Sequence, residues 1–157
     1  MKTFYKNEKG FTLIEVLVVI GILAVIATLG LFVSMDFFRS RSSHSEQETI
    51  VSLLQNARSQ SMNNINQARH GVHFDVTASP LEYTLFECGS GCSAYAGGTS
   101  YLNIKASYGV KITTPASSFD IIFNQLRGDT SAQATTINDG VRDYTVSVNS
   151  EGRIDWN

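Results

Sequence analysis

Residues 9–35 read KGFTLIEVLVVIGILAVIATLGLFVSM, and the fold turns on this stretch. No charged side chain occurs from residue 16 to residue 35. Coiled as a helix, such a run is roughly 30 Å long, about the hydrocarbon thickness of a bilayer. It is apolar on every face, unlike the one-sided helix of a soluble core, so the sequence predicts a transmembrane segment. Glu15 stands just ahead of the run, five residues after Gly10. A carboxylate at the edge of lipid is costly unless something cationic meets it.

A secretory signal peptide has a shorter apolar region with its cleavage site behind it. Here the run is too long, and the suggestive cut lies in front. The leader MKTFYKNEKG carries Lys2, Lys6 and Lys9 against Glu8. That balance favours an N-terminus held in the cytoplasm, although Arg39 and Arg41 on the other flank make the bias modest. The whole chain is 43% hydrophobic and 17% charged with a formal charge of −2, as befits one folded domain and not a polycation.

At these residues the chain resembles the type IV prepilins: a short basic leader ending in Gly10, then Phe11, Thr12, Leu13, Ile14, Glu15 and an apolar helix. The resemblance implies cleavage between Gly10 and Phe11 by a membrane-embedded prepilin peptidase, followed by N-methylation of Phe11. It also implies assembly on an inner-membrane platform with other pilin or pseudopilin subunits. Physics supplies a use for Glu15: the freed amine of Phe11 in an entering subunit meets the acid of its neighbour. Because a register slip would strand both charges, the pair fixes how the helices slide past one another, and breaking a buried pair costs on the order of 3–5 kcal/mol. A position near the helix N-terminus, favoured by the helix dipole, is the alternative account of Glu15. Many members of the family bend this helix at a proline; this chain has Gly30 in that region and no proline, so no sharp kink is expected.

Beyond the apolar run, Ile50, Leu53, Leu54, Ala57 and Ile65 recur near helical spacing, with Ser61 in the same stripe. One helix is therefore predicted over 11–66, loosest in the polar stretch 42–47. After Gly71 the period changes. Residues 72–76, 82–87, 101–105, 110–114, 119–123, 144–148 and 153–156 read as short strands divided by Gly, Ser, Pro, Asn or Asp. Their alternation suits an antiparallel sheet with one face on a core. The fold class is thus α+β, a type IV pilin-like fold with a long N-terminal helix packed on a C-terminal antiparallel β-sheet domain. The expected divisions are 1–10 leader, 11–35 membrane or filament-core helix, 36–66 exported amphipathic helix, and 67–157 β-rich domain. The segments LLQNARSQSM, HGVHFD and SEGRI further resemble the minor pseudopilins of the H-type (GspH) or FimT-like group.

Cys88 and Cys92 are separated by Gly89, Ser90 and Gly91. The exported side of a membrane permits disulfides, so a bond between them is expected, with free thiols as the alternative. No second pair exists to complete a four-ligand metal site. His70, His73 and Asp75 lie close in sequence but read as solvated polar positions. Asp139 and Asp143, with Asn138 beside them, are the calcium candidates, because some relatives hold calcium in a late loop. Asp-Gly is equally a hairpin turn, and no glutamate follows at an EF-hand spacing, so no metal is assigned. The loop 88–99 reads as exposed, and Trp156 as packing its ring on the sheet.

No cofactor is expected, and no arrangement of nucleophile, base or paired acids points to an enzyme. Removing the leader makes the remainder more acidic, and Arg142 and Arg153 alternate with Asp143, Glu151 and Asp155. DNA is not expected as a partner, since affinity for it needs clustered cations. The function implied is a structural subunit of a type II secretion pseudopilus or a type IV pilus, anchored once in the inner membrane with its β domain periplasmic or extracellular. A DNA-receiving competence pseudopilin and an unprocessed membrane-anchored binding module are the rival readings.

Overall fold

The computed structural model describes residues 10–157 apart from 90, 108 and 139–141, and for residues 30–43 the backbone alone. The chain forms two units, Met1–Phe38 and Arg39–Asn157, and one helix, α1 (Leu13–Met62), supplies residues to both. The sequence predicts this helix as far as 66; it stops at Met62 because the asparagines that follow leave helical space. Asn64 has φ 55° and ψ 36°, and Asn66 φ 54° and ψ 15°. These are left-handed values, which asparagine tolerates and a right-handed helix cannot continue. A short 3-10 turn, Ile65–Gln67, then leads into the strands.

Eight strands follow: β1 (Arg69–Asp75), β2 (Glu82–Cys88), β3 (Thr99–Lys105), β4 (Lys111–Thr114), β5 (Phe119–Phe123), β6 (Gln133–Asn138), β7 (Asp143–Val148) and β8 (Ile154–Trp156). They make two four-stranded antiparallel sheets, ordered β3-β2-β1-β5 and β4-β6-β7-β8. The sequence predicts a single sheet and gives no sign of β6. That strand reads QATTIN, and one of its two buried positions holds Thr135 where an aliphatic would have signalled a strand. Its pairing with β4 and β7 is what creates the second sheet, while β5 pairs with β1 alone.

Within the second unit, α1 and both sheets share one core. Ile50, Leu53, Leu54 and Ala57 of the helix are buried with Val72, Phe74, Tyr83, Leu85, Ile121 and Phe123 of the first sheet and Ile137, Tyr144, Val146 and Val148 of the second. Ser61 is fully buried too, but Ile65, expected in the same stripe, is 45% exposed because the helix ends before reaching it.

The polar stretch expected to be loose holds two of the helix's anchors. Gln47 is buried and donates from Nε2 to the carbonyls of Asn157 at 2.9 Å and Thr145 at 3.4 Å. Glu46 is buried and accepts the Ser107 N–H at 3.0 Å through Oε2. Its other oxygen and the Tyr83 hydroxyl, both buried, find no well-formed hydrogen bond among the described residues. Burial, reinforced by the neighbouring Glu46 charge, pushes the Tyr83 phenol far above its ordinary pKa.

The loop after β2 is largely exposed, as its composition predicts, but it turns one side chain onto the outward side of the first sheet. Tyr95 stacks on His73 with ring centroids 4.4 Å apart and meets Phe86 edge-on at 5.2 Å. Phe86 is fully buried, and a Cβ on Gly71 would come within 3.0 Å of its ring. Glycine at 71 makes the room that this second, smaller apolar cluster needs. Trp156 departs from expectation in the other direction: it lies on β8 but is 54% exposed.

Candidate assembly site

The helix begins at Thr12. Its carbonyl accepts the N–H groups of Glu15 at 3.1 Å and Val16 at 3.3 Å, and its Oγ1 receives the Glu15 N–H at 3.4 Å. Thr12 and Glu15 thus stand in the T-x-x-E spacing of a capping box, with the threonine satisfying an N–H that the helix cannot. The spacing is itself a sequence signal for a helix start. The carboxylate of Glu15, in the first helical turn, has no ion-pair partner among the described residues.

From Gly10 to Leu29 every residue is exposed. Phe11 is 82% exposed, and a side chain on Gly10 would meet nothing within 4 Å. Leucines, isoleucines and valines point in all directions around α1, so the whole circumference of this segment demands an apolar cover. The expected span 11–35 runs on through residues 30–35, whose side chains lie outside those described. Among the described residues no helix is long and apolar enough to cross a membrane. What this segment offers chemically is an uncovered apolar rod with one unpaired acid near its head.

The remaining predicted residues lie apart from it. Cys88 and Cys92 are bonded, with Cα atoms 5.9 Å apart, and Arg69 Nη1 donates to the Cys92 carbonyl at 3.2 Å. His70, His73 and Asp75 do not converge, and they are not the solvated trio their sequence suggests. His70 is buried, its Nε2 against the Ile65 carbonyl at 3.0 Å and its Nδ1 against the Tyr101 hydroxyl at 3.3 Å. His73 is paired with Asp120, while the Asp75 carboxylate caps a turn, accepting from Thr77 Oγ1 at 2.7 Å and from the Thr77 N–H at 2.9 Å. Those bonds hold Asp75 below the usual carboxylate range. Asp143 accepts from Asn138 Nδ2 at 2.6 Å, and Asp139 lies outside the described residues. No group of residues suited to a metal occurs among those described. Arg153 is ion-paired with Asp155 at 2.9 Å.

Residues 5–31 match the family described as the prokaryotic N-terminal methylation motif. That match spans only the N-terminal segment of the chain. No curated protein matches it. Among solved structures, the minor pseudopilin EpsH from the type 2 secretion system of Vibrio cholerae is similar to this chain with a TM-score of 0.51 at 14% identity, over 74% of this chain and 95% of that one. At that identity the likeness is one of fold: a long N-terminal helix followed by antiparallel sheets.

Proposed function

We propose that the chain is a structural subunit, a minor pseudopilin or pilin, of a type II secretion pseudopilus or a type IV pilus. The observation that carries this reading is the methylation motif set on a helix whose apolar side chains from Leu13 to Leu29 are all uncovered. Before assembly, lipid covers 11–35, with the leader 1–10 in the cytoplasm and the β domain exported. After cleavage behind Gly10 and methylation of Phe11, the helices of neighbouring subunits replace the lipid. Glu15 then receives the Phe11 amine of an adjoining subunit, which neutralises two charges in an apolar setting and sets the axial register. The protein acts by assembling, with prepilin peptidase and the membrane platform as processing partners, and it has no catalytic role of its own.

Mass spectrometry of the N-terminus in the native membrane tests the reading. A mature pool beginning at methylated Phe11 is expected; a pool retaining Met1 would replace the assembly subunit with a tethered module.

A further inference from the structure

Arg58 lies on the part of α1 that packs within the second unit, with its side chain half-buried. Its Nε donates to the Gly128 carbonyl at 3.3 Å and its Nη2 to the Glu151 carbonyl at 3.4 Å. Two turns far apart in sequence thus hold one guanidinium flat. Both turns depend on glycine for this. Gly152 has φ +77°, and a Cβ there would lie 1.9 Å from the Gly128 oxygen and 2.9 Å from Arg58 Nε. Gly128 has φ +68°, and a Cβ there would press on Met62 and on Arg58 Cγ. The cradle is therefore specific to backbone without side chains. Yet the guanidinium it fixes has no carboxylate within ion-pair distance among the described residues. Among the described residues its remaining N–H donors are uncommitted.

Those donors border a groove of about 440 Å³ lined by Arg58, Ser59, Asn63 and Arg153, together with Met62 and Ile154. No acidic side chain lines it. We propose that this groove is a binding site for a side-chain carboxylate presented by another protein. Arg58 supplies the fixed fork, whose planar donors match the two oxygens of a carboxylate. Arg153 supplies the second charge, exchanging its exposed partner Asp155 for the incoming acid. Ser59 and Asn63 add neutral polar groups, and Met62 and Ile154 offer apolar surface to the methylenes of an Asp or Glu side chain. Glu151, Asp155 and Asp129 neighbour the same two turns in sequence, which weighs against the dense charge of a phosphate chain. The site does not depend on the assembly reading, since an isolated monomer carries it complete.

The test uses the full chain in detergent micelles, labelled with ¹⁵N-arginine, with the Nε–H signals of Arg58 and Arg153 followed by NMR. Tetraglutamate should shift both signals saturably in the millimolar range, and tetraglutamine should shift neither. Arg153→Gln, which removes only an exposed ion pair from the fold, should weaken tetraglutamate binding roughly tenfold, as the loss of one charge-assisted contact implies. Arg58→Lys should abolish saturation while leaving the thermal transition cooperative; if that variant fails to fold, Arg153→Gln decides alone. Equal shifts from tetraglutamine, unchanged affinity in Arg153→Gln, or tighter binding of inorganic phosphate or a single-stranded oligonucleotide would each overturn the proposal.

Discussion

Asp120 on β5 holds His73 on β1 at 2.6 Å, Oδ1 to Nδ1, across adjacent strands of the first sheet. Its second oxygen accepts the Tyr95 N–H at 2.9 Å, so one carboxylate joins two strands to the loop that covers them. Asp120→Ala should destabilise the protein by about 1–3 kcal/mol, the cost of stranding half-buried donors. The same change should speed hydrogen exchange at the Tyr95 amide. A urea midpoint equal to wild type, with Tyr95 still protected, would show that stacking alone holds the loop.

Ser61 ends the buried stripe of α1 with a hydroxyl where an aliphatic side chain would be expected. It accepts the His70 N–H at 2.8 Å and lies 3.1 Å from the Phe123 carbonyl, to which it donates. Ser61→Ala keeps the shape and loses both partners, and should cost about 1–3 kcal/mol by chemical denaturation. A neutral or stabilising result would mean that water replaces the hydroxyl at a fully buried position.

Gly152→Ala forces a Cβ into the Gly128 carbonyl, whereas Gly109→Ala, at φ +89° with nothing within 4 Å, meets only backbone strain. The first should lower stability well beyond the second, which should cost about 1 kcal/mol. Equal losses in calorimetry would sink the account of the Arg58 cradle.

Burial and the nearby Glu87 charge push the Tyr101 phenol up to about 12, from 10.0 in the free side chain, although its bond to Gln60 acts in the other direction. Tyr83 is displaced upward further still. A raised phenol keeps its proton in the folded state after the unfolded chain has lost it. Stability is then full below about pH 10 and falls as pH rises towards 12. Tyrosinate absorbance should show Tyr101 ionising late and Tyr83 ionising only with unfolding. Simultaneous ionisation of all tyrosines near pH 10 in the folded protein would contradict both placements.

Thr12→Ala separates the two roles of the helix start. It removes the cap, worth about 0.5–2 kcal/mol locally, and leaves the acid. Glu15→Ala removes the acid. If assembly depends on charge pairing, Glu15→Ala should be excluded from filaments while Thr12→Ala is incorporated. Equal incorporation in a pull-down of assembled subunits would reduce Glu15 to a capping residue.

Motifs that are contiguous in sequence were legible before the structure. Gly10, Phe11 and Glu15 adjoin their apolar run, and Tyr144, Val146 and Val148 announce β7 by alternation alone. What failed to show were features assembled from distant segments. Gln47 reads as polar surface because its partners, Thr145 and Asn157, are remote from it. Arg58 reads as an exposed helical cation because Gly128 and Glu151 come to it only through the fold. β6 was missed for a local reason: Thr135 faces inward, and threonine there carries no apolar signal. Helix length erred where Asn64 and Asn66 adopted left-handed backbone, which asparagine permits and does not require.

Three side chains of α1, Gln47, Arg58 and Ser61, grip backbone carbonyls at Asn157, Gly128 and Phe123. Tension along the 47–61 segment therefore loads the first sheet, the second sheet and the turn at Gly128 together, in shear and in parallel. Rupture must break several fasteners at once, so under mechanical pull the domain gives way as a whole instead of peeling strand by strand.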